Sequence, residues 1–220
     1  MPIPLTVLAL DASLGACSVA VADDDGLNVA MSEPMTRGHQ ERLAPMAAEV
    51  MARAGLGFPV LDRIGVTLGP GSFTGVRVGL AFAKGLSVAL AVPCIGVGSL
   101  EALAASVRPG LVAAVIDARH DQLYVQAFDD GAPLAPPQVL SRPAAIAWAK
   151  VVFGSLRPAF VGPGAGTFAD HFEGAEVVIL AGPDPRAVAR LAQSAAALDV
   201  RPRPIYLRPP DARTLAERNA

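Results

Sequence analysis

Cysteine is almost absent from this chain. Cys17 and Cys94 lie far apart, each flanked by small or apolar residues. That excludes a disulfide framework and fits two reduced, buried thiols in a cytoplasmic protein. Aromatic residues make up only 5% of the sequence, and the single tryptophan, Trp148, reads as a core pin rather than a base-stacking platform. Charge is also sparse, at 17% of 220 residues with a formal net charge of -2. No global field therefore draws in a phosphate backbone, which argues against autonomous nucleic-acid binding. No lysine or arginine precedes Arg37, so the apolar N-terminus lacks the basic region of a signal peptide. The late apolar run from Leu86 to Gly98 is interrupted by Pro93 and too short to span a bilayer. We expect a cytoplasmic chain with no membrane association.

Chemical signatures are missing as well. Histidines occur only at 39, 120 and 171, without HxxH, HExxH or paired-cysteine spacing, so no zinc site is expected. There is no G-x-S-x-G nucleophile elbow, and no register supplies a Walker A loop, since Thr74 falls five residues after Gly69 and the nearest lysine is Lys84.

What the sequence has is hydrophobicity, at 52%, and a distinctive run from Leu68 to Leu86 that joins a glycine-rich turn to an almost uncharged helix. Gly69, Gly71 and Ser72 at the start of that helix read as an anion cradle, where backbone N–H groups and the helix dipole favour phosphate. The same residues read as a strand-to-helix reversal capped by Ser72 or Thr74, which needs no ligand. Only Arg77 and Lys84 charge the helix, so it must be covered on more than one side, by a second helix of this chain or by a partner.

The pattern along the chain predicts strands at 5–10, 17–22 and 27–31, a helix over 39–54, then a βαβ unit of strand 64–68, helix 74–90 and strand 94–97. A short helix over 99–106 leads to Pro109-Gly110, the expected domain boundary. The pattern then restarts. Val115-Ile-Asp-Ala118 echoes Ala9-Leu-Asp-Ala12, and Gly162-Pro-Gly164 echoes Gly69-Pro-Gly71, which suggests an internal duplication. We expect an N-terminal subdomain over 1–108, a C-terminal one over 109–200 with helices at 142–150 and 184–198, and an extended tail over 201–220. That tail carries arginines at 201, 203, 208, 213 and 218, either a solvated end or an arm for a partner. Asp11 closing the first strand, with Ser13 after it, stands where nucleotide-binding folds of the actin and sugar-kinase type place a magnesium carboxylate; alternatively Asp11 caps its own turn.

Leu8-Ala-Leu-Asp-Ala-Ser13, His39-Gln-Glu-Arg-Leu-Ala-Pro-Met46, Gly69-Pro-Gly-Ser-Phe-Thr-Gly-Val-Arg-Val-Gly79, Gly96-Val-Gly-Ser-Leu-Glu-Ala-Leu103 and Tyr206-Leu-Arg-Pro-Pro-Asp211 resemble the TsaB (YeaZ) family, bacterial partners of the TsaD enzyme in making threonylcarbamoyladenosine in tRNA. The resemblance implies an α/β chain with a duplicated actin-like ATPase fold, ribonuclease H-like, in two subdomains with mixed sheets. It implies a scaffold that activates TsaD, with TsaE as ATPase partner, a homodimer when isolated, and tRNA met only through the complex. The family is similar to TsaD, whose metal is held in a His-Met-Glu-Gly-His run; Ser99 and Leu103 stand at those histidine positions here, and neither replaces an imidazole on a transition metal. We accordingly expect no catalytic residues, no metal and no resident cofactor, with ATP or ADP at the partner interface left open. Asp11, Ser13, Gly69, Gly71 and Ser72 are the candidate nucleotide contacts. Met46, Val50, Met51, Val76, Leu80 and Ala83 are the candidate partner interface. An actin-like small-molecule kinase, a peptidase and a tRNA binder acting through the arginine-rich tail remain alternatives.

Overall fold

Connection length decides how the strands pair. In the computed structural model, which describes residues 5–196 and 202–208, β1 (Val7–Asp11), β2 (Ala16–Ala22) and β3 (Asn28–Pro34) are joined by turns too short for a crossover and pair antiparallel, Val7 opposite Ala22 and Ala16 opposite Pro34. Asp23 closes the second turn by accepting from the Asp25 and Leu27 amides at 3.0 and 2.8 Å. Two helical crossovers come next, α1 (His39–Arg53) before β4 (Arg63–Thr67) and α2 (Phe73–Leu90) before β5 (Cys94–Val97), so β1, β4 and β5 run parallel. The sheet order is β3-β2-β1-β4-β5.

After α3 (Ser99–Ala104) the plan repeats. β6 (Leu111–Arg119) pairs antiparallel with β7 (Gln122–Asp129), which pairs with the two-residue β8 (Ala132–Pro133) and with β9 (Gln138–Ser141). α4 (Arg142–Phe153) crosses to β10 (Ala159–Val161), which lies parallel to β6 and to β11 (Glu176–Val178). The second order, β11-β10-β6-β7-β8, is the first one over again. Two mixed sheets of one ground plan bear out the duplication expected from the sequence.

Both faces of the first sheet are buried. Leu8 and Leu10 face a cluster with Leu43, Met46, Val50 and Leu80 of α1 and α2, while Val7 and Ala9 face the other way. That other face is covered by α5 (Pro185–Ser194), although α5 comes after the second sheet in the sequence. Gly65 allows the approach, because a Cβ there would stand 2.7 Å from the Ala192 Cβ. Arg63 Nη1 then donates to the carbonyls of Ala192, Gln193 and Ala195 at 3.0, 3.0 and 2.7 Å, satisfying the end of α5. Conversely, Leu100, Leu103 and Ala104 of α3 pack with Val112, Ala114 and Ile116 of β6. The expected partition at 108/109 is corrected accordingly: each half lends a helix to the other's sheet. α4 covers the remaining face of the second sheet, with Phe153, Phe160 and Phe168 in its core.

The expected helix at 39–54 ends at Arg53 and runs through Pro45, which lies on its exposed side. The helix expected at 74–90 begins at Phe73, capped by the Ser72 hydroxyl, which accepts from the Gly75 amide. Its length and composition would suffice to cross a bilayer, although five of its 18 residues are buried against this chain. Residues 202–206 form no helix and no strand. Residues 201 and 209–220, with the arginines at 201, 213 and 218, lie outside the described residues.

Candidate functional site

Asp11, at the end of β1, is wholly buried, and its Oδ1 takes three donors. The Ser13 amide reaches it at 3.1 Å, the Ser13 hydroxyl at 2.6 Å and the Thr67 hydroxyl at 2.6 Å. Ser99, first residue of α3, donates its hydroxyl to Ser13 Oγ at 3.0 Å. Burial pushes the Asp11 carboxyl above its ordinary value, while the Ser13 and Thr67 hydrogen bonds pull it back. Oδ2 is buried without a partner, and Gly182 closes over it, since a Cβ there would come within 3.2 Å. His39 starts α1 with Nε2 buried and unpaired.

The glycine turn is filled by the protein itself. Ser72 N–H donates to the Ser13 carbonyl at 2.7 Å, and a Cβ on Gly71 would run into that same carbonyl. A Cβ on Gly75 would run into the Ala12 carbonyl. Gly69, at φ +96°, bends the chain so that its carbonyl accepts from the Ser99 amide at 2.8 Å. The glycines thus serve backbone-to-backbone packing of the β4–α2 turn on the β1–β2 turn. The five candidate nucleotide contacts are gathered in one place, but the fit to a magnesium nucleotide fails: Asp11 is enclosed, Oδ1 is satisfied internally, and a backbone segment occupies the cradle.

The corresponding place in the second half has different chemistry. Asp117 accepts from the Arg119 amide at 2.8 Å, repeating the Asp11–Ser13 turn bond, but its carboxylate is half exposed and paired with Arg142 at 2.7 Å. Arg142 also donates to Thr167 Oγ1 at 2.6 Å. Gly162 and Gly164 pack on Val115, whose carbonyl accepts from the Gly164 amide at 3.1 Å.

The six candidate interface residues are corrected by the structure. Met46, Val50, Met51, Val76, Leu80 and Ala83 are all at most 5% exposed; five of them lie in the core between α1, α2 and the sheet, and Val76 packs beside Gly69. Outward from the same helices point Ala44, Ala48 and Ala52 of α1 and Phe73, Arg77, Ala81, Gly85 and Val88 of α2. Val88 is 78% exposed and Phe73 43%, unusual for large apolar side chains. Sequence reasoning took the apolar periodicity of each helix as its partner face, whereas that stripe is the face buried against the sheet. It also missed Thr67 and Ser99, for which a hydroxyl among apolar neighbours was the available signal. Both thiols are pushed up to about 11 by burial, which leaves them weakly nucleophilic. Among the described residues no three His, Cys, Asp or Glu side chains are grouped to hold a metal. Ser99 and Leu103 are buried within the protein's own packing.

A family model described as TsaD, tRNA N6-adenosine threonylcarbamoyltransferase, matches residues 32–146. The tRNA threonylcarbamoyladenosine biosynthesis protein TsaB of Haemophilus influenzae is 41% identical over 124 residues, which cover 54% of this chain and 52% of that protein. The protein of that name from Escherichia coli is 36% identical over 124 residues, covering 54% and 53%. The chain thus spans about half the length of these curated relatives. Among solved structures, YeaZ from Pseudomonas aeruginosa superposes with a TM-score of 0.73 at 31% identity, covering 86% of this chain and 90% of that one. A second Pseudomonas aeruginosa structure, described as an uncharacterized protein with similarity to peptidase YEAZ, gives 0.74 at 30%, covering 93% and 100%.

Proposed function

Because the chain belongs to the TsaB (YeaZ) family, we propose that it serves the biosynthesis of tRNA threonylcarbamoyladenosine as a non-catalytic subunit that binds and activates TsaD. TsaE and tRNA are met through that complex, and the chain brings no cofactor of its own. The observation that carries this reading is the outer face of α1 and α2. Two helices held from behind by a dense core present alanines, a glycine, Phe73 and Val88 to solvent. Small side chains let a partner's helices come close, and burying Val88 and Phe73 supplies association energy. The chemistry inside supports the same reading, since Asp11 Oδ1, Ser13, Thr67 and Ser99 bond to one another and Gly182 closes over Asp11 Oδ2. A homodimer through this face would compete with TsaD.

The test is reconstitution of tRNA modification by TsaD and TsaE with and without the chain, together with binding measured by titration calorimetry. An Ala48→Glu, Ala81→Glu variant should keep its melting temperature, lose TsaD affinity at least about a hundredfold and fail to stimulate modification. Undiminished binding by the folded variant would refute the assignment of this face.

A further inference from the structure

The ligands of open α/β sheets bind beyond the carboxyl ends of the strands. Here those ends, of β4 in the first half and β6 in the second, are bridged by residues 202–208 of the chain itself. Ile205 N–H donates to the Leu68 carbonyl at 2.8 Å, and the Ile205 carbonyl lies against Gly69, where a Cβ would come within 2.9 Å of it. Tyr206 sits over the start of α2, its ring 5.4 Å from that of Phe73, its hydroxyl accepting from Arg77 Nε at 2.9 Å. The Arg77 guanidinium in turn lies 3.5 Å from the Phe73 ring centre. Leu207 packs on the cluster of Leu103, Ile116 and Val161, which belongs mainly to the second half. Arg208 Nη1 donates to the Ala118 carbonyl at 2.8 Å, one residue from Asp117.

Four consecutive residues thus contact the glycine turn, α2, the second-half core and the β6 end in order. Pro202 and Pro204 hold the segment extended before it docks, which lowers the ordering cost. We propose that the cleft between the halves is a peptide-binding site whose ligand is this chain's own segment 204–208. The segment takes the place that an actin-like fold gives to nucleotide, and it clamps the two halves together. Gly69 is needed because the peptide's backbone passes directly over it. The peptide is recognised by a backbone carbonyl on each side, one apolar pocket for Leu207 and an aromatic–guanidinium pair for Tyr206.

Hydrogen exchange on the full-length chain tests this without any partner protein. In Tyr206→Ala combined with Arg208→Ala, amides of residues 68–72 and of 118–121 should exchange at least about tenfold faster than in the unmodified chain, both together, while α4 is unchanged. Adding a millimolar synthetic peptide with the sequence of residues 202–208 should restore protection at both turns. Should the double variant fold poorly, Arg208→Ala alone carries the same expectation. Unaltered exchange at either turn would overturn the proposal, as would Mg-ADP at millimolar concentration protecting both turns of the unmodified chain.

Discussion

The two Gly-Pro-Gly turns begin alike and end differently. The first packs on the turn that follows β1, Gly71 and Gly75 on the Ser13 and Ala12 carbonyls, and the second packs on strand β6 itself, Gly162 and Gly164 on Val115. The first launches α2, 18 residues long, because Ser72 caps it and a continuous apolar stripe extends from the cap. The second launches only a 3-10 turn, Ala165–Phe168, with no side-chain cap, and Gly174 at φ +72° soon redirects the chain. The carboxylates diverge as well: Asp11 is sealed inside with neutral donors, and Asp117 is half exposed against an arginine. One inherited turn thus supports two outcomes, decided by the cap and by the residues immediately after it. The half with the longer helix is also the half whose helices turn alanines, Phe73 and Val88 outward.

The largest effect expected from breaking this comparison lies at the glycines. Gly75→Ala drives a Cβ into backbone and should cost at least about 3 kcal/mol, whereas Gly166→Ala, meeting only Ile179 Cδ1 at 3.7 Å, should stay within about 0.5 kcal/mol. Urea denaturation of both variants measures the gap; equal losses would mean that the two turns are equally tight.

Next come the carboxylates. Asp11→Ala strands three buried donors and should lose about 2–4 kcal/mol. Asp117→Ala removes an exposed ion pair and should lose about 1 kcal/mol or less. The pH dependence has a definite sign. The folded state holds a proton on Asp11 above the unfolded value of 3.8, so within that window the native state binds more protons and its stability falls as pH rises. Asp11→Asn should flatten that slope in melts taken across pH, and Asp117→Asn provides the comparison.

The smallest effect concerns the exchanged helices. Gly65→Ala pushes on Ala192 and should cost about 2 kcal/mol, with amides of α5 losing protection before those of α4. Loss spread equally over both helices would contradict the lending of α5 to the first sheet.

Much of the fold is legible in the sequence. The meander, the βαβ unit and the repeat come from connection lengths and from apolar runs bounded by turn residues, and Cys94–Val97 emerges with both bounds as expected. Helix ends differ by one to four residues where fraying and caps decide: the helix expected to 150 runs to Phe153, and the one expected to 198 ends at Ser194. The short strands β8 and β9 escape sequence reasoning because two to four residues carry too little periodicity. The candidate nucleotide residues do converge, since they lie at or just after the ends of β1 and β4, which pair parallel in one sheet. Their contacts could not be foreseen, because whether a glycine makes room for phosphate or for the protein's own carbonyl depends on the facing segment, which is distant in sequence.

The sequence by itself determined the positions of the first-half strands, the βαβ unit, the duplication, the lack of metal-ligand spacing and the family, all of which rest on local pattern and motif. Only the tertiary structure decided which side of α1 and α2 faces outward, which sheet α5 covers, and that residues 204–208 lie in the cleft. Those outcomes depend on contacts between segments more than a hundred residues apart in two of the three cases, where Arg63 meets Ala192 and Arg77 meets Tyr206. Periodicity shows that a helix has an apolar face, but only the tertiary contacts decide whether the chain's own sheet covers it.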